Sequence, residues 1–505
     1  MKKMVVKVMA LVMAAPVLLF AWGNDIVVDT FRRSENEFPI CYDIMWPSDT
    51  NMIAAVGFNY NNTHSYVRLY KSTDGGQTWP NQAGINYPDH NIKNIQLEYY
   101  GDFGIILWLT SDGLLWFLTF NLEDLTFLSA FQIASADSVI SAFVEKIERS
   151  GTPYFYIATT SRTSDNDILR IHRSIGLGAF VQVDSITIPN TNLYYTYKDL
   201  DAAVRGDSIK LYATLEVLER STNNNDLKYW IFNDGPDSSF NYQATRTVEG
   251  EYGVNFRFPS LAVLSPGYLI CLYETDSDIK YSFSNDYGFS LATYDFPFNY
   301  ADSMETTPFT EWWAFPPLAR GFNTVFTRSG NLYFVESSCA GGGMSWGTPV
   351  LVSNEHLYSS YFLRDQNPYV PKLANRYDMS VPTVIWARDF SHYAYPTFFY
   401  DSTYLCVDNM NAVRINENNV ASSGSLSFSV SGVSRGGIVL RFAQKTTDKL
   451  EGTIISTDGR VVKEFVINSG LENFSLDLKG LPGGIYFVNL KGKGMEGRKK
   501  FVLTR

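Results

Sequence analysis

The sequence has little of several residue types on which large protein classes depend. Charged residues make up only 18% of the 505 residues, and there are just 5 histidines and 4 cysteines. No two histidines are spaced as His-x-x-x-His and no two cysteines as Cys-x-x-Cys, so neither residue type has the spacing of a zinc site. We therefore expect neither a metal ion nor a cofactor.

Long hydrophobic runs are also absent, except at the N-terminus. Lys2, Lys3 and Lys7 precede an apolar run over residues 8–21, which is shorter than the roughly 20 residues that span a bilayer. Small residues follow at Ala21 and Gly23, so residues 1–23 are expected to be a signal peptide and Asn24 the first mature residue.

Positive charge is scarce as well. The net charge is -11, and removal of the three N-terminal lysines makes it more negative. This balance argues against nucleic acid or an anionic membrane surface as the main partner.

What the sequence has in abundance is aromatic residues, which make up 15% and include 32 Tyr and 35 Phe. Aromatic residues suit pleated strands, and no long amphipathic helix pattern is present. The chain is therefore expected to be all-β, with a large domain over residues 24–408 and a smaller module after it.

A hairpin signature follows the strand-like run 66–70. Residues 72–79 read Ser-Thr-Asp-Gly-Gly-Gln-Thr-Trp, in which the Asp can accept backbone N–H bonds, the glycines allow positive φ and the Trp can pack back on the sheet. This stretch resembles the Asp box of sialidase-type β-propellers, where the box has a structural role. The expected structural residues here and in a second copy are Ser72, Asp74, Gly76, Trp79, Ser284, Asp286 and Gly288.

Weaker repeats extend this pattern along the chain. Partial copies of the box lie near Ser174 and Ser338, and Pro-x-Leu-Ala occurs at 259–262, 316–319 and 371–374, where we expect it to open each later unit. The period of roughly 50 to 55 residues is the length of a propeller blade. The predicted blades are seven, with six as the alternative: 36–85, 90–135, 138–187, 195–245, 256–305, 310–355 and 368–408. Residues 24–33 are expected to close the ring.

The four cysteines allow two interpretations. Cys41 and Cys406 lie near the two ends of the predicted ring, so they could become neighbours and form a disulfide in an oxidising compartment. Alternatively, these two residues, Cys271 and Cys339 are all unpaired, half-buried thiols on strands.

The C-terminal part carries a second signature. After an Asn- and Ser-rich linker at 409–424, residues 425–505 contain Asp-Gly-Arg at 458–460, Gly-Leu-Pro-Gly-Gly-Ile-Tyr-Phe-Val at 480–488 and a basic end. This segment resembles the type A C-terminal sorting domain of type IX secretion substrates. The resemblance implies the secretion machinery as a partner and passage through the periplasm to the outside or to the outer-membrane surface. A small immunoglobulin-like binding sandwich is the alternative.

One segment resembles part of a catalytic site. Residues 256–259 read Phe-Arg-Phe-Pro, similar to the sialidase F-R-I-P motif, whose Arg holds the substrate carboxylate. In sialidases that motif opens the first blade, but here it opens the fifth. No general acid, Glu–Tyr pair or further arginine can be matched in the two blades that follow, so no catalytic residue is assigned.

We therefore expect a surface or secreted propeller that binds glycan or glycoprotein without catalysis. Arg257 is the first candidate, because its expected counterparts, Ala314 and Tyr369, are uncharged. Residues at the predicted openings of the blades complete the expected ligand-binding set: Lys198, Trp312, Trp313 and Tyr369. A sialidase-like glycoside hydrolase and a surface adhesion or structural protein are the alternatives.

Overall fold

The computed structural model describes residues 25–504 with internal gaps. The gaps are 33–36, 49–50, 61–63, 89, 134–137, 223–224, 238, 250–255, 265–266, 276–277, 301–304, 316–318, 341–342, 354–369, 376–381, 395–396, 410–423, 426–427, 431–432, 436, 443–448, 457–460, 472, 482–483 and 493–494. The expected signal peptide at 1–23 lies outside the described residues. Every regular element within them is a β-strand, as the aromatic-rich composition predicts, and a helix long and apolar enough to cross a membrane is not found there.

The chain divides into two compact units, Met1–Ala412 and Val413–Arg505. In the first unit, the described residues form seven sheets, which we number in chain order. The first three sheets are sheet 1 with β2 (Glu37–Met45), β3 (Met52–Tyr60), β4 (His64–Ser72) and β5 (Asn81–Pro88); sheet 2 with β6 (Ile92–Tyr100), β7 (Phe103–Thr110), β8 (Leu115–Asn121) and β9 (Phe127–Gln132); and sheet 3 with β10 (Val139–Arg149), β11 (Thr152–Arg162), β12 (Asn166–Ile175) and β13 (Val181–Pro189).

The remaining four sheets repeat this pattern of consecutive antiparallel strands. They are sheet 4 with β14 (Leu193–Arg205), β15 (Ser208–Glu219), β16 (Asn225–Asp234) and β17 (Phe240–Glu249); sheet 5 with β18 (Arg257–Leu264), β19 (Tyr268–Glu274), β20 (Ile279–Ser284) and β21 (Ala292–Asp295); sheet 6 with β22 (Glu305–Phe315), β23 (Ala319–Arg328), β24 (Asn331–Ala340), β25 (Gly343–Trp346) and β26 (Val350–Leu351); and sheet 7 with β27 (Lys372–Asn375), β28 (Pro382–Ala394), β29 (Thr397–Asn409) and β1 (Ile26–Arg32).

Within a sheet, the second strand is more deeply buried than the fourth strand. In sheet 1, β3 reads Met-Ile-Ala-Ala-Val-Gly-Phe-Asn-Tyr and is buried at every position except its last. In sheet 3, the fourth strand β13 exposes alternate residues. A strand that is apolar on both faces must be covered on both sides, and the hydrophobic clusters accordingly combine residues of neighbouring sheets, such as Ile106 with Leu69, and Leu211 with Tyr156.

The first strands of successive sheets contact one another, and β27 of sheet 7 contacts β2 of sheet 1. Side chains on these strands also accept backbone N–H bonds from the next sheet. Asp43 accepts from Leu97 at 2.7 Å, and Asp199 accepts from Leu261 at 2.7 Å. The same pattern occurs between Gln96 and the backbone of β10. A closed series of antiparallel sheets, six with four strands and one with five among the described residues, is consistent with a β-propeller.

The N-terminal strand belongs to the last sheet. β1 pairs antiparallel with β29, with Ile26 opposite Val407 and Arg32 opposite Ser402. Residues 24–33 were expected to close the ring, and this pairing places their described part in the sheet formed by the end of the unit. The free edge that β29 would otherwise present is therefore covered.

The two Ser-Asp segments form the same turn between the third and fourth strands of their sheets. Asp74 accepts the backbone N–H groups of Gln77 and Thr78 at 2.9 Å each, while Ser72 Oγ accepts from Gly76 N at 2.8 Å. In the second turn, Asp286 accepts from Ser290 N at 2.8 Å and Ser284 Oγ from Gly288 N at 2.9 Å. Hydrogen bonds of this kind let a carboxylate hold the turn of a hairpin, beyond the end of its ladder.

The second repeat marker, Pro-x-Leu-Ala, is wrong for sheet 6. At 259–262 and 371–374 it lies at the start of the first strand, as predicted. In sheet 6, however, the first strand is β22, which ends at Phe315, and Ala319 already opens the second strand. The prediction failed because this first strand extends through Trp312, Trp313 and Phe315, so the marker follows the strand in the sequence.

The disulfide interpretation is not supported. All four cysteines, Cys41, Cys271, Cys339 and Cys406, are unpaired and buried. Cys41 and Cys406 pack in different hydrophobic clusters, and burial raises the pKa of the Cys339 thiol to about 12. These four thiols are therefore core residues.

The second unit has two sheets with a shared apolar core that includes Leu440, Ile454 and Val488. One sheet has the order β30-β38-β37-β34-β35, with β32 also paired to β38, and the other has the order β31-β33-β36. The strands are β30 (Gly424–Ser425), β31 (Phe428–Val430), β32 (Val433–Arg435), β33 (Gly437–Phe442), β34 (Leu450–Ser456), β35 (Val461–Ile467), β36 (Asn473–Asp477), β37 (Gly484–Gly492) and β38 (Met495–Thr504). The Asp-Gly-Arg turn at 458–460 lies outside the described residues.

Candidate functional site

A cavity of about 1080 Å³ lies where the first strands of all seven sheets meet. Its lining includes residues of β2, β6, β10, β14, β18, β22 and β27, among them Ile40, Ser260 and Phe309. Most of these residues lie near the start of a first strand. The Ser-Asp turns lie at the opposite ends of the strands, because each turn connects a third strand to a fourth.

The lining of this cavity is rich in positive charge, although the chain as a whole is acidic. Its charged residues are the cations Lys93, Arg162, Lys198, Arg257 and Lys372 and the acids Asp199, Glu216 and Asp226. A cleft with an excess of one sign of charge favours ligands of the opposite sign, and here the cations outnumber the acids. The cavity is therefore suited to an anionic ligand.

Arg162 is held in place by a buried carboxylate. Its Nε donates to Asp167 Oδ1 at 2.6 Å, and its Nη2 donates to Oδ2 of the same residue at 3.2 Å. The Asp167 side chain is 0% exposed and also accepts the backbone N–H of Tyr195 at 2.6 Å. The guanidinium stacks on the Tyr194 ring at 3.9 Å from its centroid, so both its plane and its direction are fixed.

Two lysines lie at the same side of the cavity. Lys198 Nζ is 2.5 Å from Glu216 Oε2, and Lys93 Nζ donates to the carbonyl of Ile140 at 2.6 Å. Burial, followed by the charges of Lys198 and Arg162, lowers the pKa of Lys93. The charges of Lys198 and Arg162 therefore act against the protonated form of Lys93.

Arg257 stands at a bulge that opens the first strand of sheet 5. The register with β19 shifts between Arg257 and Ser260, and Phe258 between them has φ of 48°, which is rare for a non-glycine residue. The same shift occurs in sheet 6 around Thr307, whose φ is also 48°. The two bulges align Arg257 with Thr306, so the expected counterpart Ala314 is wrong, although the counterpart is still uncharged.

Buried carboxyl groups on the first strands have pKa values above their usual range. Asp199 lines the cavity, and burial raises its pKa to about 6. Burial also raises the pKa of Glu98 to about 7, and those of Asp201 and Glu311 well above their usual values. At mildly acidic pH these groups carry less negative charge, which leaves the cations of the cavity less compensated.

Of the expected ligand-binding residues, the structure brings Arg257 and Lys198 together in the cavity. Trp312 is 36% exposed on β22 and is not part of the lining. Trp313 is on the same strand, but its side chain is outside the described part of the structure, as is the whole of Tyr369.

Sequence reasoning missed Lys93, Arg162 and Lys372. Each lies at the end or start of a strand next to the centre, and an ordinary solvated lysine or arginine at a strand end looks the same in a sequence. The only available signal was the repeat phase, which locates strand starts. Among the described residues, no group of three or more His, Cys, Asp or Glu side chains is placed to hold a metal ion.

Comparison with known proteins assigns the second unit. Residues 434–504 match the family described as the secretion system C-terminal sorting domain. This domain marks proteins exported by type IX secretion to the cell surface or the extracellular space, so the chain is an exported protein whose C-terminal domain interacts with that machinery. A comparison with curated proteins finds no match.

Several solved structures are similar to the chain at low sequence identity. An α-L-arabinanase from Penicillium chrysogenum is 11% identical, with 77% of this chain and 99% of that chain covered and a TM-score of 0.39. A sialidase from Streptococcus pneumoniae is 10% identical, with coverages of 77% and 70% and a TM-score of 0.40. A lectin from Aleuria aurantia is 12% identical, with coverages of 63% and 97% and a TM-score of 0.36. These similarities assign neither an activity nor a ligand to this chain.

Proposed function

We propose that the protein is an exported, seven-bladed propeller that binds an acidic glycan or glycoprotein in its central cavity, without catalysis. In this proposal residues 24–408 form the propeller, 409–424 a linker and 425–505 the sorting domain. The cyclic contacts of the seven first strands support the blade count. The sorting domain supports a location in which extracellular glycans are available.

The observation that carries the proposal is the charge of the cavity. Five cations face three carboxylates, in a chain whose net charge is -11. One of the three acids, Asp199, has its pKa raised by burial to about 6, so the excess of positive charge grows as the pH falls. Phe309 and Phe258 in the same lining offer apolar faces on which a sugar ring can pack.

Arg257 is proposed to bind the carboxylate of the acidic sugar, with Lys198 beside it. A charge-assisted bond to a guanidinium contributes roughly 1.5 to 3 kcal/mol, so Arg257→Ala should weaken binding of a uronic or sialic acid by roughly 10- to 100-fold. The measurement is a glycan array followed by titration calorimetry. Arg246→Ala is the matched control, because Arg246 lies on the outer strand β17 and donates to the carbonyl of Phe289.

The same samples separate the alternatives. Release of sialic acid from a fluorogenic sialoside by the wild type, lost in Arg257→Ala, would favour a sialidase-like hydrolase. Failure of every acidic glycan to bind would contradict the proposal and favour a surface adhesion or structural protein. Equal binding by the wild type and Arg257→Ala would remove Arg257 from the site.

A further inference from the structure

We propose that the cavity contains a second anion position, formed by Lys93, Arg162 and Lys198, which binds a sulfate or phosphate ester on the acidic glycan. This inference rests on the proposed function and adds to it a second acidic group of different chemistry. The three cations come from three consecutive sheets: Lys93 from β6, Arg162 from the end of β11 and Lys198 from β14.

Arg162 can offer only one end of its guanidinium. Nε and Nη2 are engaged by Asp167, and Nη2 also approaches Thr196 Oγ1 at 3.3 Å. The other terminal nitrogen, Nη1, has no acceptor among the described residues. The two-pronged edge that pairs best with a planar carboxylate is therefore occupied by Asp167.

The two lysines are point donors with bonds to spare. An ammonium group has three N–H donors, and one bond each is accounted for by Ile140 O and Glu216 Oε2. Within the described part of the chain, Lys93 has no carboxylate within ion-pair distance. Arg162 and Lys198 have acidic partners, so an anion between the three would chiefly compensate Lys93.

The arrangement of these donors selects the shape of the anion. Three single donors that approach from different strands match a tetrahedral oxyanion, whose three terminal oxygens point apart. A planar carboxylate presents two oxygens in one plane and gains most from a fork. The lowered pKa of Lys93, caused first by burial and then by the other two cations, agrees with an anion that would relieve this repulsion.

The test is titration calorimetry of the purified protein with four probes: N-acetylglucosamine, its 6-sulfate, its 6-phosphate and glucuronic acid. We expect at least one ester to bind more tightly than the neutral sugar, and the two esters identify which oxyanion is preferred. Lys93→Gln should weaken binding of that ester roughly tenfold and leave glucuronic acid binding unchanged. Lys449→Gln, an exposed change in the second unit, is the control.

Three results would overturn the second anion position: no preference of the wild type for an ester over the neutral sugar, no effect of Lys93→Gln, or an equal effect of Lys93→Gln on both acidic probes. If Lys93→Gln lowers the melting temperature, Lys93→Met, which removes the charge and keeps an unbranched apolar stem of similar size, provides the same selective readout. Retention of glucuronic acid binding that depends on Arg257 would leave the proposed function intact in each case. Loss of all acidic binding would contradict both proposals.

Discussion

Arg68 Nη1 lies 2.5 Å from Asp29 Oδ2 and so joins sheet 1 to the N-terminal strand of sheet 7. Tyr70 donates to the same carboxylate oxygen, and the guanidinium lies 4.7 Å from the centroid of the Phe58 ring. The first and last sheets of the unit are therefore connected by a partly buried polar contact in addition to their apolar cluster. We call this group of Asp29, Arg68 and Tyr70 the closure contact.

The first prediction concerns this closure contact. Asp29→Ala should lower the free energy of unfolding by about 1 to 3 kcal/mol, because it leaves the Tyr70 hydroxyl without its carboxylate acceptor and leaves Arg68 to a longer ion pair with Glu37 at 3.6 Å. Urea unfolding followed by tryptophan fluorescence is the measurement. Glu148→Ala is the control: its ion pair with Lys146 is at 3.5 Å and its side chain is 51% exposed, so its loss should cost less than about 1 kcal/mol. Equal effects of the two changes would show that the closure contact adds nothing beyond an ordinary surface pair.

The second prediction is that stability falls as the pH rises from about 5 to 8. Burial raises the pKa of Asp199 from 3.8 to about 6 and that of Glu98 from 4.5 to about 7. A raised carboxyl pKa in the folded state means a contribution that is full below the usual pKa and lost as the pH passes the folded value. The melting temperature at several pH values is the measurement.

The loss of folding stability at acidic pH has a different origin from the decline at higher pH. At Asp74, burial acts to raise the pKa, but the hydrogen bonds from Thr78, Ser72 and Gln77 outweigh it and lower the pKa below 3.8. This contribution is present above the usual value and is lost as the pH falls below it.

Glu98→Gln should flatten the decline between pH 5 and 8, whereas Glu148→Gln should not change it. A melting temperature that increases from pH 5 to pH 8 would contradict the prediction.

The third prediction concerns export. Deletion of residues 425–505 in the native host should leave the protein in the periplasm, because the sorting domain that the secretion machinery recognises has been removed. Cell fractionation and surface labelling measure the outcome, and full-length Arg257→Ala, which alters only the proposed ligand site, should reach the surface normally. Undiminished surface display of the shortened chain would refute the role of this domain.

Several predicted blade ranges lie close to observed sheets because the signals that locate them are local. The Ser-Asp turns at 72 and 284 and the strand-like runs between them locate the ends of strands. The predicted ranges 36–85 and 138–187 accordingly each cover most of one four-stranded sheet, and the fourth strands end slightly later, at Pro88 and Pro189. The Pro-x-Leu-Ala marker failed in sheet 6 because proline is not confined to the start of a first strand and so does not by itself locate one.

By itself, the sequence determined the all-β class and the sorting domain, since both depend on composition and on short contiguous motifs. It also indicated Arg257, the first residue of β18, and Lys198, which lies within β14. Only the tertiary structure decided that these two share a cavity with Lys93 and Arg162, and that the thiols of Cys41 and Cys406 stay apart. The physical reason is that charge clustering and burial depend on which residues the closed arrangement of sheets brings together, and residues as distant in sequence as Lys93 and Arg257 carry no local signal of that proximity.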